Sequence, residues 1–236
     1  MKKILGSLRR GVETYQMISP GDRIAIGLSG GKDSTALLVA MKRYQYFSPA
    51  PFEIEAITLD MGFDGMDFTP LQDLCAELDI PYTIKKTQIG PIVFDTRQEK
   101  NPCALCARMK RGALHDLAIE RGCRKIALGH HADDAIETFF LSLFYEGRIN
   151  TFSPVTYLDR KDITLIRPFI YVKEKDIIFS PEIKQLPVVK STCPADGHTK
   201  REEMKELMRD LRKQFPDMDD RILKAIQNKE QFHLWF

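Results

Sequence analysis

The amino-acid sequence predicts an α/β protein with a doubly wound, mostly parallel sheet of five strands and helices on both of its faces. Strand-like runs alternate with amphipathic helical segments along the chain, which is the βαβ pattern of such sheets. The runs 23–29 and 125–130 show little polar alternation, as expected for strands that are covered on both sides. Short helical elements are expected at both ends of the chain.

The predicted strands are short and rich in apolar residues, and they cover 23–29, 53–60, 81–86, 125–130 and 164–169. The helical patterns between them cover 33–44, 69–79, 103–121 and 133–145. Asp33 or Ser34 is predicted to cap the first of these helices, and Gly122 to end the third.

Two regions lie outside this alternation. Residues 2–18 predict an amphipathic helix, and residues 199–228 predict two charged helices that are interrupted near Pro216. We therefore divide the chain into an N-terminal helix (1–20), a central α/β domain (21–180) and a helical C-terminal extension (181–236).

Composition places the chain among ordinary globular proteins. It has 236 residues, of which 43% are hydrophobic and 29% charged. No apolar run approaches the ~18 residues of a membrane span, and the first residues lack the apolar core of a secretory signal. An odd number of cysteines, five, argues against a disulfide framework. We expect a cytoplasmic protein without a membrane partner.

The formal net charge is only +2, but basic residues occur in clusters. Solvated helix faces explain such clusters individually, whereas clusters that share a face could contact an RNA backbone. The clusters are Lys2, Lys3, Arg9 and Arg10; Arg108, Lys110 and Arg111; and Lys200 and Arg201.

The segment SGGKDS follows the first predicted strand and opens the first helix. Gly30 and Gly31 allow the backbone to approach an anion, and the amides of the helix start favour negative charge. Ile26 and Asp33 exclude a Walker A loop, which needs Gly and Ser or Thr at those places. The pattern predicts a phosphate-binding turn, in which Asp33 either bridges Mg²⁺ to the phosphates or caps the helix.

Polar residues also follow the second and fourth predicted strands. Asp60 could contact a nucleoside hydroxyl, a metal ion or a substrate, or it could be a turn residue. Gly129 permits close approach of a ligand at the same sheet edge. The next helix opens with His130, His131, Asp133 and Asp134. These residues suit helix capping, Mg²⁺ binding or contacts to ATP.

Cys103 and Cys106 lie three residues apart at a predicted helix start, where the helix dipole should lower thiol pKa values. Cys193 lies in a late loop. Three thiolates could bind zinc together with a fourth ligand such as His198, which makes a Cys3His site one interpretation. A [4Fe–4S] cluster with three protein ligands is the other, and it would leave one iron open to sulfide.

Several segments resemble the tRNA 2-thiocytidine synthetase family, which comprises ATP-dependent thiolases of the pyrophosphate-loop superfamily. They are GLSGGKDS, TLD, PCALCARMKRGAL, ALGHHADDAIETFFLSLFYEGRI, IRPFIYVKEKDI and PVVKSTCP. GLSGGKDS with LGHHADD indicates the superfamily, and PCALCARMKRG with the late Cys193 indicates the thiolase branch. The resemblance covers almost the whole length and implies an adenine nucleotide alpha hydrolase-like fold, with residues 21–180 as the ATP-binding domain.

The resemblance implies an ATP-dependent sulfurtransferase that adenylates the C2 carbonyl of a tRNA cytidine and replaces its oxygen with sulfur. It implies a [4Fe–4S] cluster on Cys103, Cys106 and Cys193, and a sulfur donor that is a cysteine desulfurase or sulfide. ATP and Mg²⁺ would bind at Leu28, Ser29, Gly30, Gly31, Lys32, Asp33, Ser34, Gly129 and Asp134. Asp60, Asp134, Cys103 and Cys106 are the candidate catalytic residues. Family members are typically homodimers.

One departure from the family keeps other functions open. Family members usually carry a second cysteine pair late in the chain, whereas Pro194, Ala195 and Asp196 follow Cys193 here. The alternatives are a tRNA-modifying ligase of the lysidine synthetase type with a structural Cys3His zinc site, a thiolase or desulfidase for another substrate, and a non-catalytic nucleotide-sensing or RNA-binding module.

Overall fold

The computed structural model describes residues 1–97, 102–190, 192–195 and 200–228. Its strands form one sheet and are β1 (Asp22–Gly27), β2 (Phe52–Asp60), β3 (Tyr82–Lys86), β4 (Lys125–Ala127), β5 (Val155–Leu158) and β6 (Ile163–Ile166). The strand order is β3-β2-β1-β4-β6-β5. All neighbouring strands are parallel except β5, which pairs with β6 in an antiparallel manner. The predicted doubly wound, mostly parallel sheet is confirmed, with six strands in place of five.

The helices are α1 (Lys2–Thr14), α2 (Lys32–Gln45), α3 (Thr69–Glu77), α4 (Ile89–Pro91), α5 (Pro102–Glu120), α6 (Ala132–Leu141), α7 (Glu174–Ile178), α8 (Pro181–Lys184), α9 (Lys200–Gln214) and α10 (Met218–Gln227). Short π-helical turns extend α4 over Ile92–Thr96 and α6 over Ser142–Glu146. Both charged C-terminal helices lie where the sequence predicts them. In the described part of the chain, no helix combines the length and apolarity that crossing a membrane requires.

Alternate residues of β1 pack on opposite faces of the sheet. Ile24 and Ile26 belong to a core that includes Leu37 of α2, whereas Ala25 belongs to a second core with Leu117 of α5. Both faces of the central strand are therefore buried under helices, which explains why its buried part, Ile24–Ile26, is entirely apolar. A third, smaller core joins α6 to α9 and α10 through Ile136, Met204, Met208 and Met218.

The direction of the strand order changes at β1. β2 follows β1 on one side, while β4 lies on the other, so the crevice between the carboxyl ends of β1 and β4 is a topological switch point. Parallel α/β sheets bind ligands at this place because the helix starts on the two sides diverge from one another. The two motifs with the strongest sequence signal follow β1 and β4.

The predicted cap of α2 is wrong, whereas the predicted end of α5 is confirmed. α2 begins at Lys32, its N-cap is Gly31, and no side chain caps it. Because the helix starts one residue earlier than expected, Asp33 and Ser34 already lie within its first turn. Gly122 lies two residues after Glu120, the last residue of α5, and its φ of +74° is expected for a residue that stops a helix.

The edge strand β5 was not predicted. It forms a hairpin with β6 through a 3₁₀ turn, Asp159–Lys161, and a left-handed Asp162 with φ +47°. The predicted fourth and fifth strands also end earlier, at Ala127 and Ile166. The predicted division into an N-terminal helix, a central domain and a C-terminal extension stays a prediction.

Candidate nucleotide and thiol site

The turn after β1 is held open by its own hydroxyl groups. Ser34 Oγ accepts from the Ser29 N–H at 3.2 Å, lies 3.0 Å from Ser29 Oγ and donates to Gly31 O at 2.9 Å. Gly30, between them, has φ +86°. The turn therefore places the first amides of α2 beyond the carboxyl end of β1, which is the geometry of an anion site.

Two glycines permit close backbone contacts around this turn. A Cβ on Gly30 would lie 2.8 Å from Val189 Cβ, and the Val189 N–H donates to Gly30 O at 2.9 Å. A Cβ on Gly129 would lie 3.0 Å from the carbonyl carbon of Asp33. We predicted that Gly129 permits the close approach of a ligand. In this structure, its missing side chain allows the first turn of α2 to pack against the residues that follow β4.

Lys32 lies between two carboxylates. Its Nζ donates to both Asp33 oxygens at 2.9 Å and to Glu174 Oε1 at 2.8 Å. Burial lowers the pKa of Lys32, but the ion pairs with Glu174 and Asp33 outweigh it, so the pKa lies above its usual value. The ammonium is charged, and exchanging a carboxylate for a phosphate oxygen would keep it paired.

The start of α6 is capped by a histidine. The Asp134 N–H donates to His131 Nδ1 at 3.3 Å, and Asp134 Oδ2 accepts from the His131 N–H at 2.9 Å. Asp133 Oδ2 accepts from the Glu174 N–H at 2.7 Å and thereby caps α7. Both carboxylates therefore have structural partners. The second oxygen of Asp134, Oδ1, forms an ion pair with Arg201.

α9 places three cations against the acidic groups that border the turn. The pairs are Arg201 with Asp134 at 3.0 Å, Lys205 with Glu174 at 3.7 Å and Arg212 with Asp133 at 3.0 Å. A second Arg201 nitrogen donates to Thr138 Oγ1 at 3.2 Å. The C-terminal extension therefore covers the start of α6. Sequence reasoning recognised Arg201 as basic but could not pair it, because its partners Asp134 and Thr138 lie more than 60 residues away.

His130 is neutral and its Nδ1 is buried without a hydrogen-bond partner in the described structure. Burial lowers the pKa of His130 to about 4, the nearby Asp134 opposes this, and the charge on Arg167 adds to it. The ring lies 5.1 Å from the Phe152 ring, on which the Arg167 guanidinium also packs. A buried ring nitrogen without a partner requires an explanation, and a polar group of a ligand bound in the neighbouring crevice would supply one.

Glu137, in the second turn of α6, is 1% exposed, and its Oε2 also has no hydrogen-bond partner among the described residues. Burial raises the pKa of Glu137 to about 7, although Lys205 opposes the shift. No sequence pattern distinguishes this glutamate from a solvent-facing helix residue, so its burial could not have been predicted.

Asp60 closes its own turn. Its Oδ1 accepts from the Gly62 N–H at 2.9 Å, and its carbonyl accepts from the Thr87 N–H at 2.8 Å. These contacts agree with the interpretation of Asp60 as a turn residue. A catalytic role for Asp60 stays a prediction.

The first turn of α5 carries Cys103, which is exposed, and Cys106, which is half-buried. Burial raises the pKa of Cys106, Lys110 opposes the shift, and the neighbouring thiols of Cys193 and Cys103 add to it. The expectation that the helix start lowers thiol pKa values is therefore wrong for Cys106. The mutual effect of these thiols nevertheless indicates that Cys193 lies near the first turn of α5.

Within the described ranges, no three His, Cys, Asp or Glu side chains are close enough together to hold a single metal ion. His198, the candidate fourth zinc ligand, lies outside the described residues. Two surface cavities of about 250 and 300 Å³ lie elsewhere, against α10. Neither is lined by the glycine turn or the cysteines, so cavity size does not locate this site.

Comparison with known proteins agrees with the geometry. A model of the PP-loop domain family matches residues 7–211. A tRNA-cytidine(32) 2-sulfurtransferase of Pelobacter propionicus is 37% identical over 99% of this chain and 88% of its own length. Proteins with the same name from Neisseria gonorrhoeae (38% identity, 94% and 70% covered) and Geobacter sulfurreducens (35%, 99% and 92%) are similar.

Among solved structures, the U34-tRNA thiolase NcsA of Methanococcus maripaludis, determined with its [4Fe–4S] cluster, has a TM-score of 0.76 to this chain. It is 24% identical, and the match covers 94% of this chain and 76% of NcsA, which shows a common fold.

The sheet, its switch point and the glycine turn thus define a protein of the PP-loop class, whose members use ATP. Within that class, the chain belongs to the tRNA-cytidine(32) 2-sulfurtransferase family of transferases.

Proposed function

We propose that this protein thiolates a cytidine of tRNA at C2 and consumes ATP to do so. The observation that carries the proposal is the match to tRNA-cytidine(32) 2-sulfurtransferases at 35–37% identity over 99% of the chain. The arrangement of the switch point supports it, because a phosphate turn and a set of thiols belong to neighbouring elements there.

The glycine turn is the proposed ATP site. Backbone amides of Gly30, Gly31 and Lys32 would bind the phosphates, since they open α2 and carry its positive dipole end. Lys32 would exchange Glu174 for a phosphate oxygen. Mg²⁺, if bound, would take its oxygen ligands from Asp33 and Asp134, which lie at the two helix starts that flank the crevice.

Cys103, Cys106 and Cys193 are the proposed ligands of a [4Fe–4S] cluster. Three thiols from α5 and one late loop fit this group better than a zinc ion. Each cysteine of a four-iron cluster binds a different iron, so three thiols from two separate elements suit it, and three protein ligands leave one iron open to sulfide. When bound, the cluster would supply sulfide for the transfer.

The chemistry balances without a redox step when sulfide is the donor. The C2 carbonyl oxygen of cytidine attacks the α-phosphorus of ATP, the bond from that phosphorus to the β-phosphate bridge breaks, and pyrophosphate leaves. Sulfide then bonds to C2, and the bond from C2 to the former carbonyl oxygen breaks, so that AMP leaves with this oxygen. Lys32 and the amides of the turn would stabilise the charge that develops on the phosphates.

The proposed partners are tRNA, a sulfur donor that is either a cysteine desulfurase or sulfide, and a second copy of the chain in a homodimer. A lysidine synthetase-like ligase is not favoured, because the near full-length relatives are sulfurtransferases.

The test is mass spectrometry of tRNA nucleosides from cells with and without the gene. We expect 2-thiocytidine to disappear with the gene and to return when the gene is restored. An unchanged nucleoside profile rules the proposal out.

Cysteine variants test the cluster. Cys103→Ser should abolish both thiolation and the broad visible absorbance, near ~400 nm, of anaerobically purified protein. Cys123→Ala is the matched control, because Cys123 is fully buried in the core under α5. Thiolation by Cys103→Ser at the wild-type level would show that the cysteine is structural.

A further inference from the structure

The segment after α8 is held against the phosphate turn. The Val189 N–H donates to Gly30 O at 2.9 Å, and a Cβ on Gly30 would lie 2.8 Å from Val189 Cβ. The same segment also borders the loop that follows β2, because a Cβ on Gly65 would lie 3.9 Å from Thr192 Cγ2. Both contacts lie at the carboxyl edge of the sheet. Lys190, which follows Val189 directly, therefore lies beside the proposed ATP site.

The side chain of Lys190 is exposed, and within the described ranges it forms no hydrogen bond or ion pair. Its Cα lies about 3.8 Å from that of Val189, and its four methylene groups give the ammonium a reach of about 6 Å. A phosphate bound to the amides of Gly30 and Gly31 would be within range of this ammonium. Lys190 is therefore a cation that can bind an anion at the turn without breaking an existing contact.

The basic side chains that border the turn on the side of α6 and α9 already have carboxylate partners. Four cations and four carboxylates form these pairs, so their charges cancel. The pairs are Lys32 with Asp33 and Glu174, Lys205 with Glu174, Arg201 with Asp134, and Arg212 with Asp133. A triphosphate brings several negative charges to this neutral arrangement, and a single Mg²⁺ does not neutralise them all. The unpaired ammonium of Lys190 supplies a further positive charge where the phosphates would bind.

We propose that Lys190 binds the β- and γ-phosphates of ATP as a second lysine beside Lys32. The inference rests on the proposed function, because it takes ATP as the ligand of the turn. The α-phosphorus must stay open to the attacking base, so the cations at the turn are expected to hold the pyrophosphate that leaves. Negative charge moves onto this pyrophosphate as its bond to the α-phosphorus breaks, and a nearby ammonium stabilises it. Lys190 can do so without losing an ion pair, whereas Lys32 must first give up Glu174.

The test measures the binding of two probes to the full-length protein by calorimetry. One probe is a non-hydrolysable ATP analogue with Mg²⁺, which carries all of the phosphates, and the other is AMP, which carries only the α-phosphate. Lys190→Met and Lys190→Gln remove the charge of the side chain, and Lys190→Arg keeps it. Thiolation assays with varied ATP and varied tRNA follow for each variant.

Lys184→Met is the matched control, because it removes the same charge from the same part of the chain. Lys184 lies at the end of α8 and packs over the Phe179 ring at 5.6 Å. α8 borders the far end of α2, where Glu182 Oε2 lies 3.8 Å from Arg43 Nη1. Arg43 follows Lys32 by eleven residues on this helix. The control position therefore lies about 16 Å along α2 from the phosphate turn.

Lys190→Met and Lys190→Gln should weaken binding of the ATP analogue at least about fivefold and leave binding of AMP unchanged, because only the analogue carries β- and γ-phosphates. Lys190→Arg should stay within about twofold of the wild type, since it keeps a positive charge. Lys184→Met should bind both probes as the wild type does. In the thiolation assay, the two neutral variants should lower kcat/KM for ATP by at least the same factor, with an unchanged KM for tRNA.

Wild-type affinity for the analogue in either neutral variant would overturn the inference, and so would an equal loss of affinity for AMP. A loss confined to tRNA would assign Lys190 to the RNA backbone and overturn it as well. If the wild type itself does not bind the analogue, the proposed function fails, so the two failures are distinguishable. Circular dichroism of each variant checks that it is folded, as expected for a change at an exposed side chain.

Discussion

At the scale of single residues, the two glycines of the phosphate turn have different reasons to be glycine. Gly30 has φ +86°, and a Cβ there would lie 2.8 Å from Val189 Cβ. Gly31 has φ −74°, and the nearest atom to its Cβ position is Ser29 Oγ at 3.7 Å. Only the first position is closed to alanine by the protein itself.

Gly30→Ala should therefore destabilise the protein by about 1–3 kcal/mol, from left-handed backbone strain and the displacement of Val189. Gly31→Ala should change stability by less than about 0.5 kcal/mol. Urea unfolding followed by circular dichroism measures both. Equal losses for the two variants would contradict the assignment of the close contact to Gly30.

Glu137 makes a pH-dependent contribution to stability. Burial raises its pKa from 4.5 to about 7 in the folded protein. The folded state therefore binds this proton more tightly than the unfolded state, and stability falls as the pH rises from about 4.5 to about 7. The group is neutral below this window and an unpaired buried charge above it.

Glu137→Gln removes that titration. Relative to the wild type, the variant should gain about 1–3 kcal/mol of unfolding free energy between pH 5 and pH 8. Urea unfolding at the two pH values measures the difference, and Glu206→Gln, on the exposed side of α9, should show none. A constant offset between Glu137→Gln and wild type at both pH values would show that the carboxyl does not titrate in this window.

At the scale of elements, most helices and the parallel strands could be predicted because each depends on its own residue pattern. The apolar run IAIG is typical of a buried strand. Met204, Met208 and Leu211 are four and three residues apart, so they lie on one face of a helix, and this apolar face is expected to pack on a core. β5 could not be predicted, because a four-residue edge strand buries little and leaves a weak pattern. The predicted cap of α2 was wrong because the helix begins at Lys32, so Asp33 and Ser34 lie inside its first turn and not before it.

α9 is attached by a small core as well as by its ion pairs. Met208 is fully buried, whereas the adjacent Leu207 is 40% exposed. Met208→Ala should cost about 2–4 kcal/mol and Leu207→Ala less than about 0.5 kcal/mol. Limited proteolysis should cut the C-terminal helices of Met208→Ala faster than those of the wild type. Equal cutting rates for the two variants would show that α9 does not depend on this core.

At the scale of the whole molecule, the sequence predicted that the candidate site residues follow β1 and β4, but it did not predict the contacts that join them to the rest of the chain. The phosphate turn, the start of α6 and the cysteines of α5 all follow from local motifs. The contacts of Gly30 with Val189, of Lys32 with Glu174 and of Asp134 with Arg201 join residues more than 60 positions apart. Such contacts are set by the packing of the C-terminal segment, which no local pattern reports.

The proposed RNA substrate makes a further prediction about charge. A net charge of +2 is too small for nonspecific attraction by the whole molecule, so tRNA binding must depend on a local cluster. Arg108 and Arg111 are exposed on α5, the helix that also carries Cys103 and Cys106. A substrate base that reaches the thiols would bring its flanking phosphates close to these two arginines.

The double variant Arg108→Glu with Arg111→Glu should therefore weaken tRNA binding at least about tenfold and reduce the slope of log K against log salt by about 1.5–2. Lys2→Glu with Arg9→Glu, on α1, is the matched control because it lowers the net charge by the same four units. Filter binding of tRNA from 50 to 200 mM salt, roughly the range over which phosphate contacts lose most affinity, compares the two. If both variants weaken binding equally, total charge rather than the α5 surface governs recognition, and the RNA path over α5 is wrong.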